Sequence, residues 1–206
     1  MINCIAEFAT HDTERGASLA LQDETGRFLF CLAGTRHHCP PGELFYAGIG
    51  GHLEEGEDWL SCVHREVKEE IGVDVDILSS PVIWYVPQHG SVQKVVITDF
   101  PQPFALHEML RLSDTSSAGH LYHIVIYKAY LSNKPMVFPQ EECRGVIALT
   151  KEQVIRGLER KPSLAELQDE GAKIIVGDEY IDRRTRVYPI GTAYALAQIF
   201  RLDDSL

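Results

Sequence analysis

Residues 50–73, GGHLEEGEDWLSCVHREVKEEIGV, constrain the chain most, because their second half reads as one helix with both ends specified. Asp58 is the residue type that caps a helix start, and Gly72 supplies a C-terminal stop. Between them Leu60, Val63, Val67 and Ile71 recur at the period of a helix with one buried face. Glu66, Glu69 and Glu70 fall within an adjoining arc of roughly 100°, at about 100° per residue. Like charges three or four apart each cost a helix roughly 0.2–0.5 kcal/mol. Such a cluster is either turned to water, as acidic runs usually are, or given a cation.

The cation reading has a definite chemistry. A hard divalent ion such as Mg²⁺ takes oxygen ligands, turns repulsion among the carboxylates into attraction, and can still bridge to substrate phosphates. Gly50 and Gly51 allow close backbone approach, so the Gly50 carbonyl is a candidate ligand beside Glu66, Glu69 and Glu70. Arg65 serves differently, since its planar fork can hold a carboxylate by paired hydrogen bonds, and Glu57 is the obvious partner.

Around this helix the chain reads as strands mixed with helices. Residues 17–21 and 27–32 are apolar runs joined by a D-E-T-G turn, a hairpin pattern, and residues 44–49 form a short apolar run entering Gly50. Residues 81–86 and 120–131 are rich in β-branched and aromatic types, as strands are. The long segment 88–119 carries a possible strand at 92–97 and a possible short helix at 105–112. Residues 150–158, 163–169 and 192–202 read as helices, the last of them amphipathic, with a short strand at 173–176. The absence of a regular βα alternation points to an α/β/α or α+β layered domain. We expect a single domain over residues 1–206, with a core of about 15–160 and a C-terminal helical extension, 161–206, packed on the core or on a dimer partner.

Charge and cysteine content narrow the partners. A formal charge of −11 repels nucleic acid and acidic membranes, and no run of apolar residues is long enough to cross a bilayer. The N-terminus has neither the basic start nor the apolar segment of a signal peptide, which implies a cytoplasmic protein. Five scattered cysteines argue against a disulfide framework, and His37-His38-Cys39 reads as a solvated loop rather than a metal clip.

With its flanks, the acidic helix resembles the Nudix box, G-x5-E-x7-R-E-U-x-E-E-x-G-U with U aliphatic. Gly51, Glu57, Arg65, Glu66, Val67, Glu69, Glu70, Gly72 and Val73 fill every specified position. The resemblance implies a Nudix-type α/β/α sandwich around a mixed β-sheet and the hydrolysis of a nucleoside diphosphate linked to another moiety. It implies Mg²⁺ or Mn²⁺ held by Glu66, Glu69, Glu70 and the Gly50 carbonyl, with Arg65 and Glu57 as a structural pair. The general base is expected to be Glu66, or a later carboxylate such as Glu141 or Glu142. Homodimers are common in the family. Two other outcomes stay open: a catalytically silent Nudix-fold regulator that binds a nucleotide, and a Nudix-fold isomerase acting on a diphosphate ester. Arg183, Arg184 and Arg186 sit among acids and give a DNA-binding appendage little support.

Overall fold

The hydrophobic runs that alternate with turn residues become strands of one large sheet, with helices on both of its faces. The computed structural model describes residues 2–10, 13–110, 120–131, 141–177 and 181–203. Among them the chain runs α1 (Ile5–Phe8), β1 (Glu14–Gln22), β2 (Phe28–Ala33), β3 (Glu43–Ala47), β4 (Gly50–His52), α2 (Trp59–Ile71), β5 (Asp76–Leu78), β6 (Ile83–Val86) and β7 (Gln93–Val95). It continues through β8 (Ala105–Leu110), β9 (Leu121–Tyr130), β10 (Cys143–Leu149), α3 (Lys151–Glu159), α4 (Leu164–Asp169), β11 (Lys173–Gly177), β12 (Arg186–Pro189) and α5 (Gly191–Phe200).

The main path of the sheet is β11-β10-β2-β1-β9-β8-β6-β7, with β3 bridging β2 and β12, β4 on β1, and β5 on β9. Side-chain alternation sorts the core into two layers. From β1, Ala17, Leu19 and Leu21 point toward α1 and α2, whereas Ala20 joins the layer under α3, α4 and α5. From β2, Phe28, Phe30 and Leu32 face that second layer, and Leu29 and Cys31 face the first. The result is an α/β/α sandwich around a mixed sheet.

How β1 is paired creates the site. The expected hairpin turn forms, with Asp23 Oδ1 accepting from the Thr25 and Arg27 N–H groups, but β1 and β2 pair only at Gln22 and Phe28. Beyond that pair β2 leaves to join β10 and β3, while β4 takes its place with Gly16↔His52, Ala17↔Gly51 and Ser18↔Gly50. Along its other edge β1 runs parallel to β9 for its whole length. The sheet therefore parts between β1 and β2, and a cleft opens where it parts.

Three sequence expectations change. The helix expected at 105–112 is strand β8 as far as Leu110, and the rest of it lies outside the described residues. Ala105, Leu106 and Met109 are good helix formers, but β8 is paired antiparallel to β9 from Ala105↔Ile126 to Leu110↔Leu121 and parallel to β6. Pairing on both edges overrides local propensity. The last helix is not amphipathic: Thr192, Ala193, Ala195, Leu196, Ala197, Ile199 and Phe200 of α5 are all buried. Its apolar surface is spent inside the chain, which removes the reason for seeking a partner surface there. Finally, Cys31 and Cys143 form a disulfide, their Cα atoms 5.4 Å apart across β2 and β10 although 112 residues separate them. Only strand pairing brings them together, so spacing along the sequence gave no sign of it.

Candidate active site

Helix α2 forms as its sequence dictates. Asp58 accepts from the Leu60 and Ser61 N–H groups, and Gly72 ends the helix in the left-handed region at φ 70°. Cys62, Val63, Val67 and Ile71 are buried against the sheet. That packing turns the neighbouring acidic arc toward β4 and the cleft.

Arg65 organises this arc. Its Nε and Nη2 donate to the two oxygens of Glu57, both at 2.9 Å, as a bidentate pair. Its Nη1 donates to Glu66 Oε1 at 2.8 Å and Glu69 Oε2 at 3.2 Å, and Nη2 also reaches the His52 carbonyl at 3.0 Å. One guanidinium thus ties the loop before the helix, the helix, and strand β4. Hydrogen bonds from Arg65 hold the Glu57 carboxyl below the usual range.

Glu66 and Glu70 face the opposite pressure. Burial raises the Glu66 pKa despite Arg65, and burial pushes Glu70 up to about 8, with the charges of Glu66 and Glu142 adding to it. Glu70 Oε2 accepts from the Gly50 N–H at 2.9 Å, which only partly offsets that burial. A side chain on either glycine would collide here. Gly50 has φ 146°, and a Cβ on it would fall 2.2 Å from the Ala17 carbonyl oxygen. A Cβ on Gly51 would fall 2.1 Å from Glu66 Oε1.

These residues line a cleft of about 960 Å³. Glu66, Glu69, Glu70 and Arg65 form one wall with Gly50, Gly51 and His52, and Ser18 and Cys31 lie along it from β1 and β2. Glu142 also lines the cleft, near enough for its charge to act on Glu66 and Glu70, and it contacts the Arg36 guanidinium. The loop carrying Arg36 is clasped to the 141–142 turn by Gly34 N–H to the Glu142 carbonyl and Arg36 N–H to the Glu141 carbonyl, both 3.0 Å. Glu141 itself is exposed and lies outside the cleft lining.

The donor set suits a hard divalent cation: the Glu66 and Glu70 carboxylates are at least partly buried, with raised pKa values that a cation would bring down, and the exposed Glu69 carboxylate stands beside them. Among the described residues no three such side chains already converge as a ligand set, because Arg65 engages Glu66 and Glu69 while the Gly50 N–H engages Glu70.

Several cleft residues carry no signal in the sequence. His37, expected in a solvated loop, is half-buried against Phe45, with ring centroids 5.1 Å apart. Phe45 from β3 and Tyr122 from β9 line the cleft, and so do Tyr188 from β12 and Thr192 from α5. No local motif marks them, since Phe45, Tyr122 and Tyr188 reach the site through strand pairing and Thr192 through the packing of α5. Trp84 and Tyr85 from β6 do not line the cleft: Trp84 is buried in the core, and Tyr85 packs edge-on to Phe8 at 6.2 Å. Arg183 and Arg184 are engaged by Asp169 and Asp182. No helix among the described residues is long and apolar enough to cross a membrane.

No curated protein matches this sequence. Solved structures similar to the chain include the MutT protein from Methanosarcina mazei Go1, at 13% identity and TM-score 0.47, covering 70% of this chain and 81% of that one. Another is the E. coli dihydroneopterin triphosphate pyrophosphohydrolase, at 16% identity and TM-score 0.46, covering 69% and 84%. A third is a C. elegans Ap4A hydrolase in a binary complex, at 18% identity and TM-score 0.44, covering 70% and 85%. A family model described as NUDIX domain matches residues 12–155, well over half of the 206 residues, and spans the cleft wall from β1 through α2 to Glu142: the chain belongs to the NUDIX family.

Proposed function

We propose that this chain is a metal-dependent pyrophosphohydrolase that cleaves a nucleoside diphosphate linked to another moiety. The observation that carries the reading is the wall of Glu66, Glu69 and Glu70 beside Gly50 and Gly51, facing a cleft of nucleotide size. Glu66, Glu69 and Glu70 would hold the cation, with the Gly50 carbonyl as a further candidate ligand. Mg²⁺ or Mn²⁺, when bound there, supplies Lewis acidity at the phosphoryl oxygens and lowers the pKa of the attacking water.

The chain's own groups do the rest. Glu66 is the proposed acceptor of the water proton, and the burial that raises its pKa brings it closer to a working base. Glu142, which also lines the cleft, is the other candidate for that role. Arg65 positions Glu66 and Glu69, and its engagement with Glu57 and the His52 carbonyl fixes the helix against β4. Arg36 lies at the cleft beside Glu142, where a guanidinium can meet a phosphate oxygen.

The test is a hydrolysis panel with Mg²⁺ and Mn²⁺ over nucleoside triphosphates, ADP-ribose, nucleotide sugars, dinucleotides and dinucleoside polyphosphates, using Glu70→Gln as the blank. Metal-dependent turnover of one group, absent from the blank, supports the reading and gives the substrate class. A second reading, a nucleotide-binding regulator without turnover, draws on the engagement of Glu66 and Glu69 by Arg65. Thermal stabilisation by nucleotides without hydrolysis anywhere in the panel would favour it.

A further inference from the structure

The cleft has a second pole that the proposed chemistry does not use. Phe45 and Tyr188 are registered partners across the parallel β3–β12 pair. Their neighbours Leu44, Tyr46, Val187 and Pro189 alternate into the core, so the two rings share the opposite face and line the cleft half-buried. His37 completes the set from the loop after β2. The Phe45 ring lies between the other two, 5.1 Å from His37 at 68° and 6.5 Å from Tyr188 at 66°. Three flat groups from three separate segments therefore meet along the cleft.

The surroundings hold these rings in place. Lys161 Nζ sits 4.5 Å over the Tyr188 ring and is ion-paired with Glu43, close to Phe45 in the chain. Burial, and then Arg36, hold the His37 imidazole below the usual histidine range, which keeps it uncharged at neutral pH. The acidic pole suits a cation and phosphates; a set of uncharged rings suits the part of a nucleotide that is itself flat and apolar-faced.

We infer that Phe45 and Tyr188, with His37 beside them, form the subsite that holds the nucleobase of the substrate by stacking. The inference rests on the diphosphate reading of the acidic pole. It assigns a binding role to residues 186–189, which lie beyond the family match ending at 155. Stacking on aromatic side chains discriminates strongly between a base and no base, and weakly among bases.

Calorimetric titration in Mg²⁺ tests this, comparing ADP, GDP, CDP and UDP with methyl diphosphate, which has the same diphosphate ester and no nucleoside. The wild type should bind at least one nucleoside diphosphate about tenfold or more tightly than methyl diphosphate, as a stacked base is expected to contribute. Phe45→Leu and Tyr188→Leu keep apolar volume but remove the flat ring, so each should shrink that ratio about fivefold or more while leaving methyl diphosphate binding unchanged. Tyr188→Trp should keep the ratio. Unchanged ratios in both leucine variants would overturn the subsite. So would a wild type that binds methyl diphosphate as tightly as every nucleotide, and that result would leave the diphosphate reading standing. Binding of neither class would remove the diphosphate reading and this inference with it.

Discussion

The Gly51 Cα faces the Glu66 carboxylate so closely that a single added methyl would lie 2.1 Å from Oε1 and 2.3 Å from Cδ. The atoms it would strike are the far end of a flexible side chain, so the fold can yield by moving Glu66 rather than by shifting backbone. Gly51→Ala should therefore cost little stability, about 1 kcal/mol or less. It should nonetheless lower kcat about 100-fold or more, because even small misplacement of a reacting group is costly. Parallel melts and turnover assays would check this, and a stable, fully active alanine variant would remove Glu66 from the chemistry.

The Glu70 carboxyl predicts how the metal-free protein responds to pH. Its folded pKa of about 8 stands above the unfolded value of 4.5, because burial disfavours the charged form. Its contribution to stability is thus fully present below about pH 4.5 and lost as pH rises through about 8. The chelator-treated wild type should melt at progressively lower temperature over that window. Glu70→Gln, which cannot ionise, should flatten this part of the profile and show no turnover. Added Mg²⁺ should raise the wild-type melting temperature more at about pH 8 than at about pH 5, since ligation requires the deprotonated carboxylate. Superimposable wild-type and variant profiles would show that Glu70 titrates normally.

Arg65 cannot be replaced by lysine. An ammonium can meet one carboxylate but not donate two parallel bonds to Glu57 while also reaching Glu66 and the His52 carbonyl. The Glu57 and Arg65 side chains are 11% and 24% exposed, so the loss should approach that of a buried pair without equalling it. We expect Arg65→Lys to cost about 2–3 kcal/mol in denaturant unfolding. It should also reduce kcat, because Glu66 and Glu69 lose their anchor. A change in stability below about 0.5 kcal/mol would mean that the network is only a solvated surface pair.

The acidic pole was legible in the sequence because it is local. Asp58, the Leu60 to Ile71 stripe, the carboxylates and Gly72 all lie within one helix and its caps, and the α2 bounds follow from them. The aromatic pole was not legible, because Phe45 and Tyr188 become neighbours only through the β3–β12 pairing. The disulfide between Cys31 and Cys143 was hidden for the same reason. Residues 105–110 misled in the opposite direction: the string ALHEML satisfies helix propensity, and only strands β6 and β9 on either side make it extended. What a sequence hides is what depends on long-range pairing.

Glu142 offers the sharpest test of the proton's route. It lines the cleft from the turn before β10 and contacts the Arg36 guanidinium, whereas Glu66 lies on α2 and accepts from Arg65. A general base contributes about 10²–10⁴-fold to rate, so its replacement by an amide should remove most of the turnover together with the acid limb of the kcat–pH profile. If Glu66 takes the proton, Glu142→Gln should lower kcat less than about tenfold and leave that limb in place. Any larger effect should then fall on KM, because Arg36 loses its counter-charge and its loop loses a contact to the turn. Loss of the acid limb in Glu142→Gln would transfer the role of base to Glu142. The Glu66 carboxylate would then be left to bind the cation, and water would be activated from the side of the cleft where Arg36 stands.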